Sequence, residues 1–182
     1  MEFTSKFGLD SLSIGELAKS VGMSKSGLFS HFKSKEKLQI MVLDYAASDF
    51  TEKVIRPILK EPRGIARMDA MMNHWKQWST KWLPGGCPFL SAVIEFDDRP
   101  GNIQNHLRNL LNIMIETIVK TIEISQEENQ IRKDIDKLQM AFEIYSNILG
   151  HHVYSKLIQD EKSEQRFENT YQKIMANYKS QP

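Results

Sequence analysis

Between Lys19 and Lys37 the chain carries five lysines and a single acid, Glu36, interleaved with hydroxyl, imidazole and aromatic side chains. Cationic and hydroxyl groups at this density suit contacts to phosphate and to base edges. The charge is local, because the 182-residue chain as a whole has a net charge of only +1. Other chemistry is sparse. No Gly-rich phosphate loop, Gly-x-Ser-x-Gly elbow or His-Glu-x-x-His motif is present. His151 and His152 are adjacent, so on a helix they face different directions and lack the i, i+4 spacing of a chelating pair. His74 and His106 would join them only through tertiary contact. These patterns predict no catalytic residue, no metal site and no cofactor, and they make a metal-dependent enzyme a remote alternative. Cys87 is the only cysteine, which excludes an internal disulfide and suits a reducing compartment. It lies just before a helix start, where a thiolate is favoured. A redox role and a small structural role both remain open for it.

The elements that position the basic cluster can be read from capping signals. Ser13 is placed to cap a first helix, and Glu16 three residues on completes a capping box. Ile14, Leu17 and Ala18 supply the apolar stripe of that helix. Val21-Gly22-Met23 is a short turn with glycine at the C-terminal stop. Ser24 caps a second helix whose Leu28, Phe29 and Phe32 have core-facing spacing, leaving Lys25, Ser26, Ser30 and His31 to face outward. Ser34 caps a third helix that opens with Lys35. Two helices joined through a glycine-containing turn form the unit that seats its second helix in a DNA major groove.

The spacing Ser-Ile-x-x-Leu-Ala, Val-Gly-Met-Ser and Leu-Phe-x-His-Phe-x-Ser-Lys-x-x-Leu closely resembles the helix-turn-helix of tetracycline-repressor-type (TetR) regulators. The resemblance implies an all-α protein with DNA-facing residues Ser13, Ser24, Lys25, Ser26, Gly27, Phe29, Ser30, His31, Lys33 and Lys35. Lys25 and Ser26 would meet base edges, Gly27 would allow close backbone approach, and Lys35 and His31 would hold phosphate. Two departures from the family pattern are visible. Only Met1–Phe7 precede Gly8, where relatives carry a longer first helix. Phe29 stands where the family usually has a tyrosine whose hydroxyl touches phosphate, so it can fill the core but cannot donate that bond. A non-transcriptional DNA-binding protein on the same fold is the alternative within this resemblance.

The rest of the chain is helix-patterned, with prolines and glycines clustered at Pro57, residues 62–64, 84–86 and 99–101. A DNA-binding unit, residues 1–45, is expected to run without a linker into an effector-binding and dimerisation unit, residues 46–182. The helix from Lys35 should end or kink near Pro57. Residues 64–83 carry Met68, Met71, Met72, Trp75, Trp78 and Trp82 on one stripe, including all three tryptophans. Such a stripe suits a plain core, or an adaptable apolar cavity. The family resemblance implies an effector pocket here, formed by Met71, His74, Trp75, Trp78, Trp82, Phe89, Phe96, Asn112 and Met114, for a small apolar or amphipathic molecule. Residues 102–124 read as a central helix, broken by the polar run 125–129. Asp134 is expected to open the next helix and Ser163 to cap the last. In the family these two helices pair with their twofold mates. That implies a homodimer interface at Phe142, Tyr145, Leu149, Gly150, His152, Phe167, Tyr171, Ile174 and Tyr178, with packing inside one chain as the alternative. Gly150 within a helix asks for close approach of another helix. No uncharged apolar run approaches the roughly 18 residues of a membrane span, and no leader pattern opens the chain, so a cytoplasmic protein that binds double-stranded operator DNA and no membrane is expected.

Overall fold

The computed structural model describes residues 1–180, so Gln181 and Pro182, the last two positions of the expected second unit, lie outside the described residues. Three short helices, α1 (Glu2–Phe7), α2 (Ile14–Val21) and α3 (Lys25–Phe32), precede the longer α4 (Lys35–Phe50). Ser13, Ser24 and Ser34 each accept, at 3.1 Å, the amide three residues on, and so set the starts of α2, α3 and α4. The capping box at Ser13 is only half formed. The Glu16 carboxylate takes the Lys19 ammonium at 2.8 Å instead of returning to the Ser13 amide, because a cation one turn on is the stronger partner. Gly22 ends α2 in the left-handed conformation at φ 66°. Leu12, Ile14, Ala18, Leu28 and Leu38 form the small core of this unit.

Beyond Phe50 the helix runs on and ends just past Pro57, near where it was expected to end or kink. It widens into a π-helical turn, Thr51–Ile55, and continues as α5, Arg56–Ile58. Pro57 has no amide to donate, and the wide turn lets Arg56 N–H reach the Thr51 carbonyl one residue further back. Helices α6 (Ile65–Thr80), α7 (Pro88–Phe96), α8 (Asn102–Glu127), α9 (Lys137–Lys156) and α10 (Ser163–Tyr178) complete an all-α architecture. α8 is the central element, burying Ile118 and Ile122 completely. It ends at Glu127, inside the polar run expected to break it, and reaches into that run because the Ser125 hydroxyl bonds back to the Thr121 carbonyl and is thereby satisfied inside the core. α9 starts at Lys137 rather than Asp134, since Asp136 accepts from the Leu138 and Gln139 amides. Ser163 does not cap α10, whose entry turn is held by Asp160 through the Lys162 amide and the Arg166 guanidinium. An antiparallel bridge between Ile131 and Lys179 ties the end of α10 to the α8–α9 loop.

α1 is short but anchored. Gly85, in the α6–α7 loop, packs so closely on the Ser5 backbone that a Cβ would fall on the Ser5 carbonyl, and its amide donates to Ser5 Oγ at 3.2 Å. Gly85→Ala should therefore lift α1 off the core at a cost of about 1–3 kcal/mol. Thermal denaturation should show a loss of several degrees while tryptophan emission of the native state stays unchanged.

Candidate nucleic-acid interface

α3 presents a single outward face. Lys25, Ser26, Ser30, His31 and Lys33 are exposed, while Leu28 and Phe32, one turn apart, pack inward. Phe29 lies about 100° round the helix from Leu28 and is 54% exposed, so it does not fill the core. It leaves a bare aromatic ring one turn from Lys25 on the reading face. Gly27, half-buried, donates its amide to Ser24, whose hydroxyl also lies 3.3 Å from Ser26 Oγ. Among the described residues, Lys25, Lys33 and Lys37 make no ion pair, whereas Lys19 is paired with Glu16 and Lys35 with Asp10.

Lys35 sits in the first turn of α4, where its charge opposes the helix dipole. Its Nζ lies 2.8 Å from Asp10 Oδ1, and Arg99 Nη1 lies 2.7 Å from Asp10 Oδ2. Lys35 and then Arg99 hold the Asp10 carboxyl below the usual carboxylate range. Exposed pairs of this kind contribute little to stability, so Lys35 can exchange Asp10 for a phosphate at little cost. Lys35→Ala should lower affinity equally for all DNA sequences and reduce the salt slope by about one unit. A titration of binding against salt concentration checks this, and an unchanged slope would make the lysine a bystander.

Behind the reader, the aromatic stripe is closed rather than hollow. Met71, Trp75, Trp78, Phe89, Phe96 and Met114 are all buried. Phe50 of α4 meets Trp75 and Trp78 edge-on at 4.8 and 5.1 Å, and Phe89 stacks on Trp78 at 5.8 Å. These contacts pack the stripe expected to line an effector pocket against α4 and α7. Trp82 is half-buried beneath the Lys53 ammonium. The two polar candidates do not converge on the stripe. His74 stands beside Trp82 with a buried, unpartnered Nδ1, and Asn112 is exposed in an outer groove with Val93 and Leu107. An apolar cavity of about 200 Å³ lies instead between α4, the π turn and α8, lined by Phe50, Thr51, Ile55, Phe89, Leu110, Ile113 and Met114 among others. Of the expected pocket residues only Phe89 and Met114 reach it. Asp49, which accepts the Trp78 indole at 3.3 Å, carried no sequence signal beyond a charge on an exposed helix face. Cys87 does sit at the α7 terminus with helpful amides, but burial pushes its thiol up to about 12. Desolvation outweighs the helix end.

The α9–α10 hairpin divides its expected interface residues in two. Phe167, Tyr171 and Ile174 are buried within the chain, and Tyr171 donates to Asp69 Oδ1 at 2.7 Å. Tyr178 donates to Glu143 at 2.8 Å, Tyr145 packs on Trp75, and His152 rests against Gly86. These residues serve intramolecular packing because α10 folds back on α9 and α6. Phe142, Leu149 and Gly150 are exposed, and no atom approaches a Cβ built on Gly150 within 4 Å. Val153, Tyr154 and Leu157, not singled out from the sequence, extend this apolar face, with Phe142 67% and Leu157 81% exposed. An open groove of about 480 Å³ runs beside it between α9 and α10. His151, 6% exposed, lines that groove, and neither ring nitrogen is hydrogen-bonded.

Burial holds both His151 and His152 below the ordinary imidazole value of 6.5. Below that pH the unfolded chain binds protons that the folded chain does not, so stability is complete above about 6.5 and falls on acidification. Urea titrations between pH 7.5 and 5 should show this decline, and His151→Phe should make it shallower.

The fold and the basic helix-turn-helix face define a DNA-binding transcriptional regulator. The description "Bacterial regulatory proteins, tetR family" matches residues 1–40, and "Tetracyclin repressor-like, C-terminal domain" matches residues 64–171. The chain belongs to the TetR family. No curated protein matches it in sequence. Among solved structures it is similar to a TetR transcriptional regulator from Chloroflexus aurantiacus J-10-FL, at 21% identity and a TM-score of 0.85, covering 99% of this chain and 92% of that one. A TetR-family regulator from Cytophaga hutchinsonii has 18% identity and a TM-score of 0.85, over 100% and 91% of the two chains. AibR, solved in complex with isovaleryl coenzyme A and operator DNA, has 19% identity and a TM-score of 0.69 over 92% and 89%. No helix among the described residues is long and apolar enough to cross a membrane.

Proposed function

We propose that this chain is a homodimeric repressor that reads a palindromic operator and releases it on binding a small apolar or amphipathic effector. Residues 1–45 read DNA, with Lys25 and Ser26 on base edges and Ser24, Ser30, His31, Lys33 and Lys35 on the backbone. Residues 46–182 hold the effector and form the dimer in the cytoplasm. The observation that carries the reading is the helix shared by both units, with the apolar cavity set against its π turn. The AibR complex, which holds a ligand and an operator together, supports the pairing of these two activities in one fold.

The cavity of about 200 Å³ is smaller than the ~300–1,000 Å³ of usual ligand sites. A ligand must therefore push on its walls, and the π turn is the wall joined directly to the reader. Phe89, Met114, Trp75 and Trp78 form the apolar surface available as it opens. Effector and operator then prefer different positions of α4, so each weakens the other's binding by the same factor. The exposed strip from Phe142 through Gly150 to Leu157 is the face we assign to the twofold partner, since a bare apolar strip of this length marks an interaction site.

Selection from a random duplex library should yield an inverted repeat, and a panel of small apolar compounds should include one that changes tryptophan emission with the same midpoint as operator release. Recovery of only asymmetric sites, or no emission change with any compound that releases DNA, counts against the proposal. Phe142→Glu and Leu157→Glu should each sediment as a folded monomer, because both side chains are exposed in the single chain. Tyr171→Glu should unfold instead. A dimer that persists in both surface variants places the interface elsewhere.

A further inference from the structure

Glu95, near the end of α7, reaches across 86 positions of sequence to the loop between α1 and α2. Its Oε1 accepts the Leu9 amide at 3.0 Å and its Oε2 accepts the Asp10 amide at 2.6 Å. No other acceptor is available to these two amides among the described residues, so removing the carboxylate orphans two partly buried donors. Gly8 makes room for it, since a Cβ there would fall on the Glu95 carboxylate, and its φ of 84° is a conformation suited to glycine. The same loop is tied to α4 from its other side, where Gln39 donates to the Leu9 carbonyl at 2.8 Å. Arg99, just past α7, adds its bond to Asp10. The loop is thus a joint whose amides belong to the core and whose carbonyl belongs to the helix that follows the reader.

We infer that Glu95 is a positioning residue that sets the spacing between the two half-site readers of the dimer. This rests on the reading of the protein as a dimer on a palindrome. Glu95 makes no bond to α3 and meets Lys35 only through Asp10, whose carboxylate Arg99 also holds, so the affinity of one reader for one half-site rests on α3 and Lys35 rather than on Glu95. What it fixes is the angle between that reader and the core, and in a twofold dimer each such angle is counted twice. The two readers must match a separation of about 34–36 Å or a multiple of it. A charged, two-pronged hydrogen bond to backbone is a stiff way to hold that distance.

The test uses full-length wild-type protein and Glu95→Gln. An amide offers one acceptor oxygen to the two donors and sets an N–H group against the other. Duplexes carrying the selected half-site once, or twice with the central spacer changed by one or two base pairs, are titrated with both proteins. Wild type should prefer one spacer by about tenfold, the scale of one mismatched base pair. Glu95→Gln should bind the single half-site as wild type does and accept neighbouring spacers to within about twofold. Gly8→Ala, which displaces the carboxylate from the other side, should flatten the preference likewise. A variant that keeps the wild-type spacer preference overturns the inference. So does one whose single half-site binding falls in step with every spacer, because Glu95 would then only hold the reader together. If wild type itself selects no inverted repeat, the dimeric reading fails first and the inference falls with it.

Discussion

The structure depends on the aromatic junction where α4 enters the core. Phe50 meets the rings of Trp75 and Trp78 edge-on, and the Trp78 indole donates to Asp49 beside it. Such contacts contribute beyond their buried area because ring edges meet ring faces. They fasten the last turn of the reader's helix to the C-terminal half of α6. Two exposed polar pairs, Asp44 with His106 and Glu36 with Asn102, tie the rest of α4 to α8. Pairs of this kind are easily exchanged. The junction is therefore the apolar anchor of α4, with exchangeable polar pairs along the rest of the helix.

The π turn lies immediately beyond this anchor and faces the cavity. It exists because Pro57 cannot donate to the ladder, and its wide turn is a deformable stretch of backbone placed next to an apolar space that touches the helix of the reader. A tightly packed core transmits displacement rather than absorbing it.

The reader has a core of five buried apolar residues, too few to hold its orientation by burial alone. Its orientation is held instead by polar and steric latches to the larger unit, which are Gly85 under Ser5, Glu95 at the Leu9 and Asp10 amides, and Arg99 at Asp10. Hydrogen bonds and close backbone contacts are directional, so they define an angle where apolar contact would allow sliding. Leu9 and Leu43 of the small unit also enter the large core, and the latches add direction to that apolar contact.

The sequence by itself determined what is decided within a turn or two of chain. Ser13, Ser24 and Ser34 cap amides three residues away, and Gly22 ends its helix in place, because those bonds join near neighbours whose spacing is visible in the letters. The family and its all-α fold were legible for the same reason, since the helix-turn-helix is a local unit. The tertiary structure decided what distant segments share. Phe29 turned outward, because of two adjacent apolar residues on a short helix only one can face inward. Phe167, Tyr171 and Ile174 went to the interior, while Phe142 and Leu157 stayed bare, because an apolar stripe states that a face is covered without naming the cover. The tryptophan stripe read as core or as cavity, and it was the fold that set Trp75 and Trp78 against Phe50 and Phe89. Glu95 opens a family-like segment, Glu95 to Gly101, but its own role had no signal, since a carboxylate on a helix has the letters of a solvated residue until the fold brings two unpaired amides to it.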